Sequence, residues 1–331
     1  MNIKENYRKI LFELEKNSRK KFTDIGESVG LSQQTVSYAV KSMEENDVIN
    51  GYRALFDYTK FGYNGYIVLF RVNAFSREKV EELKELLQQQ GMTASIDRLA
   101  GGWDLRVFFL APNASQFNKE FKELISEYPD QLRNYKILTS VVIHDLGRDY
   151  LVDGDEQSED IIVGGDRELV DVKQSWKDIT ESLWEDPRQK SVDVAKELDV
   201  TPKTVMDRLD RLREEKLVKG FRPNVGIREL GIKTHLLFVK YNNRNVDMEN
   251  DLRDYCVDHP NVVKMTKTFG DYDAVIRIET QDRGQQREVI NSIRERYEEI
   301  LLDYNTLEVV DEITRRYLPK SYFEGEEFPD E

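Results

Sequence analysis

One offset organises the chain. Asp24-Ile25 recurs as Asp193-Val194, Thr35-Val36 as Thr204-Val205, and Gly51-Tyr52-Arg53 as Gly220-Phe221-Arg222, each 169 positions on. The same shift carries Gly62 to Gly231, Gly101 to Gly270, Asp104 to Asp273, Tyr128 to Tyr297 and Tyr135 to Tyr304. A fixed period over so long a stretch means two copies of one fold, without large insertions. The 331 residues leave room for two to four domains. Between the copies, Asp153-Gly154-Asp155-Glu156-Gln157-Ser158-Glu159-Asp160 is acidic and has no hydrophobic period, so it reads as a flexible linker. The apolar run Ile161-Ile162-Val163 after it finds no place in this scheme.

Each copy opens on helices. Ile3, Tyr7, Ile10, Leu11 and Leu14 recur at helical spacing, matched by Val172, Trp176, Ile179 and Leu183. A short helix carrying Ile25 and Val29, or Val194 and Leu198, ends in a turn at Gly30 or Asp199, two residue types that tolerate the left-handed conformation. Gly26 and Ala195 are small where another helix must approach. A third helix starts at the N-caps Ser32 and Thr201, with Pro202 in its first turn. It buries Val36, Val40 and Met43, or Val205, Leu209 and Leu212. This is the helix-turn-helix plan.

The period then changes. Strands are expected at 66–70, around 95–97, at 105–110 and at 137–143, with helices at 81–90 and 117–125, and the second copy repeats the series. The order β-α-β-β-α-β makes a ferredoxin-like sheet with helices on one face. The expected class is α+β: two copies of a winged-helix-like helix-turn-helix domain followed by a ferredoxin-like domain. The expected domains are 1–53 and 169–222 (helix-turn-helix), 54–148 and 223–318 (ferredoxin-like), with an acidic linker at 149–168 and an acidic tail at 319–331.

A net charge of −14 argues against nucleic acid until it is located. Residues 1–150 carry 21 basic and 21 acidic side chains, and 171–320 carry 27 and 30. Residues 151–170 carry 1 and 7, and 321–331 carry 0 and 5, so most of the excess lies in linker and tail. Nearly neutral folded parts leave sequence-specific DNA binding open and make strong non-specific binding unfavourable. No run approaches the ~20 apolar residues of a membrane span, and the first residues lack the apolar core of a signal peptide. A single cysteine, Cys256, makes no internal disulfide and reads as a packing residue. A cytoplasmic protein is expected.

Val29-Gly30-Leu31-Ser32, Thr35-Val36, Asp47-Val48-Ile49-Asn50-Gly51-Tyr52 and Gly270-Asp271-Tyr272-Asp273-Ala274, with Gly101-Gly102-Trp103-Asp104-Leu105 as the first copy's version, resemble the Lrp/AsnC (feast-famine) family of transcription regulators. The resemblance covers nearly all the chain, once per copy. It implies sheet-to-sheet dimerisation, a small-molecule site (often an amino acid) at the sheet-domain interface, and control of transcription. Family members usually carry one copy, so the duplication is a departure.

DNA contact is expected from Gln33, Gln34, Ser37, Tyr38, Lys41, Ser42 and Arg53 in the first copy. The second copy offers Lys203, Thr204, Arg208, Arg211 and Arg222. Glutamine suits adenine, and lysine and serine suit base edges or phosphates. A merely solvated helix face is the plain alternative; the family often has arginine at or beside this face, where Tyr38 and Ala39 stand. Asp207, Asp210 and Glu214 on the second helix repel phosphates, which makes that head the weaker candidate. The basic run Lys4, Arg8, Lys9, Lys16, Arg19, Lys20 and Lys21 is either a solvated face or a phosphate clamp.

Gly101-Gly102-Trp103-Asp104 and Gly270-Asp271-Tyr272-Asp273 are tight hairpins, with glycine giving positive φ and aspartate bonding the turn. The same residues are the expected effector site, the second hairpin favouring a ligand with a charged amine because it offers Asp271 and Asp273. Catalysis is not indicated: His144, His235 and His259 show no metal spacing, no phosphate-loop or nucleophile motif occurs, and no cofactor is implied. Sirohaem decarboxylases look like this family and also occur fused, but the hairpin regions hold Trp103, Arg106, Tyr272 and Arg277 without the histidine expected of them. A ligand-sensing module without DNA binding is the third reading. The expected partners are double-stranded DNA and an amino-acid effector, with no membrane, and the copies pair within one chain or as a homodimer.

Overall fold

The elements of the first copy reappear one by one 169 positions later in the computed structural model, which describes residues 5–72, 77–154, 156–242 and 245–324. The first copy runs α1 (Glu5–Lys16), α2 (Phe22–Val29), α3 (Gln33–Glu45), β1 (Ile49–Phe56), β2 (Asn64–Arg71), α4 (Arg77–Gln89), β3 (Thr93–Ala100), β4 (Leu105–Ala111), α5 (Ala114–Glu127) and β5 (Asn134–Asp145). A 3-10 turn at Asp149–Leu151 and a short strand, β6 (Ile161–Gly164), follow. The second copy runs α6 (Gln174–Glu185), α7 (Ser191–Glu197), α8 (Pro202–Glu214), β7 (Val218–Val225), β8 (Lys233–Tyr241), α9 (Val246–Asp258), β9 (Val262–Phe269), β10 (Ala274–Thr280), α10 (Arg283–Arg296) and β11 (Leu301–Arg315), then α11 (Ser321–Glu324). Ile3, Lys4, Asp155 and the acidic tail beyond Glu324 lie outside the described residues.

Local chemistry sets the helix-turn-helix geometry in both copies. The Ser32 and Thr201 hydroxyls accept the Thr35 and Thr204 backbone N–H groups, each at 3.1 Å. Gly30 has φ 71° and Asp199 φ 50°, the left-handed turn between the second and third helices. A Cβ on Gly26 would stand 2.5 Å from the Leu31 carbonyl oxygen, so the first copy's turn folds back more tightly than the second copy's, which accommodates Ala195.

Within each ferredoxin-like unit the side chains alternate with period two. Tyr66, Val68 and Phe70 of β2 pack on α4 and α5, whereas Ile67 and Leu69 face inward. Leu237, Val239 and Tyr241 of β8 face α9 and α10, whereas Leu236 and Phe238 face inward. The sheets do not stay separate. The strands follow the order β2-β4-β3-β11-β8-β10-β9-β5, and β5 pairs back onto β2, closing an eight-stranded antiparallel ring. The two long last strands make the closure. Residues 134–140 of β5 pair with β2 and 139–145 with β9, while β11 pairs first with β8 and then with β3. The two copies thus pair within one chain.

The winged-helix units also interlock. β1 and β7 form a two-stranded ribbon, with Ala54 opposite Phe221 and Arg53 opposite Arg222. The core of the first helical unit takes in Val225, Ile227 and Ile232, and that of the second takes in Ala54, Leu55 and Phe56. Arg19 and Arg188, equivalent residues, cross over reciprocally. The Arg19 guanidinium lies 5.3 Å from the Phe221 ring centre, and that of Arg188 lies 4.8 Å from both Phe22 and Tyr52.

The acidic connector departs from the expectation of a free linker. Ile161 and Val163 are buried, and β6 adds to β5 with Ile143 opposite Val163 and Asp145 opposite Ile161. Leu151 packs into the first helical core. The β-branched run between two turns has the composition of a strand, and its partner is the far end of β5, beyond the residues that pair with β2.

Candidate nucleic-acid interface

The outward face of α3 is Gln33, Gln34, Ser37, Tyr38 and Lys41, all exposed, with Tyr38 at 72%. Val36, Ala39, Val40 and Met43 are buried behind it. Ser42 is half-buried, and its carbonyl receives the Asn46 side-chain amide at 2.7 Å, so it ends the helix. Lys41 has only a loose, exposed ion pair with Glu45 at 3.6 Å, which leaves its ammonium available to a phosphate.

The α8 face differs. Lys203, Met206, Asp207, Asp210 and Arg211 are exposed, Thr204 is half-buried, and Arg208 is half-buried with a long contact to the Ser175 carbonyl at 3.5 Å. The Arg211 guanidinium donates to Glu214 at 2.7 Å, and Arg213 pairs with Asp210 at 3.4 Å. The positive charge here is largely answered by its own helix.

Arg53 and Arg222 correct the expectation placed on them. They are 4% and 0% exposed and cannot reach DNA. They meet around Asp145 at the end of β5. Arg222 and the Tyr317 hydroxyl donate to its carboxylate, Lys264 Nζ lies at 3.1 Å and Arg53 at 3.8 Å. Burial pushes the Asp145 carboxyl up, but Lys264, Arg222 and Arg53 outweigh it and hold it well below its ordinary value. Burial and the neighbouring Arg315 push Arg53 down to about 10, despite Asp145. A second group lies alongside: Asp97 accepts from Arg106 at 2.9 Å, and Arg148 joins Glu15 at 2.5 Å to Glu279 at 2.8 Å. An arginine at one position in both copies looked basic and exposed because a single copy's sequence does not show the ribbon that covers it.

The N-terminal basic run is also mostly spent internally. Lys16 and Lys20 pair with Glu13, and Arg19 Nη2 donates to the Gln189 carbonyl at 3.1 Å. Arg8 is half-buried, Lys9 pairs with Glu5 at 2.7 Å, and Lys21 is exposed.

Both hairpins have the expected backbone: Gly101, Gly102 and Gly270 have φ of 113°, 119° and 137°. The aspartates bond elsewhere than expected. Asp104 accepts the Val72 N–H at 2.8 Å, and Asp273 accepts the Tyr241 N–H at 2.7 Å, so each ties its hairpin to the neighbouring strand end. Lys240 also reaches Asp273 at 3.1 Å and Gly270 at 2.9 Å. Trp103 and Tyr272 are buried, Trp103 beneath Arg71. The hairpins sit on the seams between copies. Gly101 packs on Thr306 and Leu307, Gly270 on Ile137 and Leu138, and Asp271 pairs with Lys136 at 2.7 Å. Cys256 is buried, and burial pushes its thiol up to about 12. Among the described residues no cluster of three or more potential ligands could hold a metal, and no helix is long and apolar enough to cross a membrane.

A family model described as winged helix-turn-helix DNA-binding matches residues 4–50 and 177–219, once in each copy. The proline dehydrogenase transcriptional activator of Rhodobacter capsulatus is 28% identical over 123 residues, covering 37% of this chain and 80% of that protein. The transcriptional regulator LrpB of Bacillus subtilis (strain 168) is 29% identical over 93 residues, covering 28% of this chain and 60% of that protein. Among solved structures, the siroheme decarboxylase NirDL superposes with a TM-score of 0.60 at 14% identity, covering 96% of both chains, which shows that the whole two-copy fold is shared. In motif, element order and relatives, the chain carries two winged helix-turn-helix copies and is similar to transcriptional regulators of the Lrp/AsnC type.

Proposed function

We propose that the protein is a sequence-specific DNA-binding transcriptional regulator whose principal reading element is α3, with α8 as a weaker, differently specified second element. The observation that carries this is the α3 face: a capped helix presenting Gln33, Gln34, Ser37, Tyr38 and Lys41 outward, with their side chains exposed. Paired hydrogen bonds from glutamine and a loosely paired, exposed lysine are the chemistry of base and phosphate recognition. Selection of bound fragments from sheared genomic DNA tests it. Enriched sites should be asymmetric, and a Gln34→Ala/Lys41→Ala double variant should lose them. Retained binding, or two identical inverted half-sites, refutes the assignment.

An amino acid acting at the second hairpin fits this regulator. Asp271 and Lys136 form a half-exposed ion pair across the seam. A free amino acid offers an ammonium to the first and a carboxylate to the second, exchanging the inter-copy pair for two ligand contacts. That exchange changes DNA affinity only through different ligand affinity in the competent and incompetent arrangements. Calorimetry across the twenty amino acids, with Asp271→Asn as control, decides it; no heat leaves the pair as a strut.

The whole-chain fold shared with NirDL favours a second reading, tetrapyrrole decarboxylation. The cavity inside the barrel, ringed by Arg106, Lys264, Arg277 and Arg315, is about 30 Å³. That is room for about one water, far below a tetrapyrrole's needs. Incubation with sirohaem should give no spectral change; a shifted spectrum and a decarboxylated product would instate this reading.

A further inference from the structure

We propose that the open groove beside the end of β11 docks an extended, basic peptide from another protein, added to the sheet there as β6 is added to β5. The molecule contains its own template. In the first copy, residues 142–145 of β5 have β6 alongside. The Val141 carbonyl accepts the Gly165 N–H at 2.7 Å, and the Glu159 carbonyl accepts Arg222 at 2.8 Å. Ile161 covers Gly220, its Cδ1 lying 2.6 Å from where a Cβ would stand.

At the equivalent place in the second copy no described residue takes the seat. β11 pairs with β8 no further than Val309, leaving Val310 onward with β3 alone. Gly51, the counterpart of Gly220, faces no atom within 4 Å, and a groove of about 460 Å³ runs along Val309–Glu312. The Val310 carbonyl, counterpart of Val141, is met by the Arg228 guanidinium at 3.2 Å, a side chain standing where a neighbouring strand would donate. An exposed strand edge with a side-chain pocket beside it is the substrate of β-strand addition.

Charge selects the occupant. Lys60, Lys216 and Lys219 surround the acidic approach Glu159-Asp160 in the first copy. Their counterparts are Glu229, Asp47 and Asn50, and Asp311 adds to the same rim, where Arg228 is held by the Val310 carbonyl and Glu312 is taken up by Arg277 and Arg315. The walls have reversed sign, so the strand that suits them carries basic residues ahead of an aliphatic pair spaced as Ile161 and Val163 are.

The test uses the full chain and two synthetic peptides: Lys-Lys-Ile-Ile-Val-Gly-Gly, and the linker's own Glu-Asp-Ile-Ile-Val-Gly-Gly. The basic peptide should bind at least roughly tenfold more tightly, a preference of about 1.4 kcal/mol. It should also slow amide exchange along residues 310–314. An Asp47→Lys/Glu229→Lys variant should reverse the preference. Equal binding of both peptides, protection at another site, or no binding overturns the proposal. So does slow exchange at 310–314 before any peptide is added, since the chain then fills its own groove.

Discussion

The two reading helices have the same ends and different faces. α3 and α8 are each capped by a hydroxyl accepting from the third residue on, and each is anchored by an apolar stripe. Outward, Tyr38 and Lys41 on one face Asp207 and Asp210 on the other. The fold holds the cap and the stripe, because losing either undoes the helix or its packing. It places no demand on the outer face, so joining two copies in one chain lets each acquire its own surface. The same division runs through the centre. Asp145 of β5 gathers Arg222, Lys264 and Arg53, whereas its counterpart on β11 is Thr314, held by Gln88 at 3.3 Å.

That contrast sets the largest expected effect. Asp145→Asn leaves the buried Arg222 and Arg53 and the half-buried Lys264 without their anion and should cost about 3–5 kcal/mol of stability. Thr314→Ala should stay within about 1 kcal/mol. Urea unfolding of the two variants measures the difference, and similar losses would mean the two centres are equivalent. Acid should report the same group. A carboxyl held below its ordinary value in the folded state adds stability above an unfolded pKa of about 4. That contribution fades as pH falls through the folded value. Midpoints recorded from pH 7 to pH 3 should fall below about pH 4, and the Asp145→Asn variant should show a shallower fall.

Ile161→Ala comes next, at about 2–4 kcal/mol, because it empties the seat over Gly220. A cost near zero would return the connector to the free linker its composition suggested. For DNA, Tyr38→Ala should weaken binding by about 1–3 kcal/mol and Lys41→Ala should reduce the salt slope by about 0.9. Arg211→Ala, already paired with Glu214, should change affinity by less than either, as competition titrations at several salt concentrations will show. Smallest is Asp199→Gly, which relieves a left-handed aspartate and should stabilise by no more than about 1 kcal/mol; Gly30→Ala should destabilise by about as much. Thermal melts distinguish the two signs.

Period and caps were readable from the residues because they are local. The third helix, its buried stripe and the hairpin glycines all follow from spacing and φ preference within a dozen positions. Ring closure and the β1–β7 ribbon were not readable, since either sheet taken alone satisfies its alternation. Arg53 and Arg222 were misplaced for that reason: their covering strand lies in the other copy. Ile161-Ile162-Val163 was a strand by composition and an orphan by position, and the same absent knowledge of the partner edge explains it.

The closed ring within one polypeptide has a further consequence. A homodimer built on such a seam dissociates on dilution, and its subunits can exchange with those of a relative. Here the two halves of the barrel stay at a fixed effective concentration set by the connector, whatever the abundance of the protein. Closure of the ring is then an intramolecular event, and no second copy is needed to complete it. The pair of unequal helix faces is inherited as a unit, so the two surfaces always travel together.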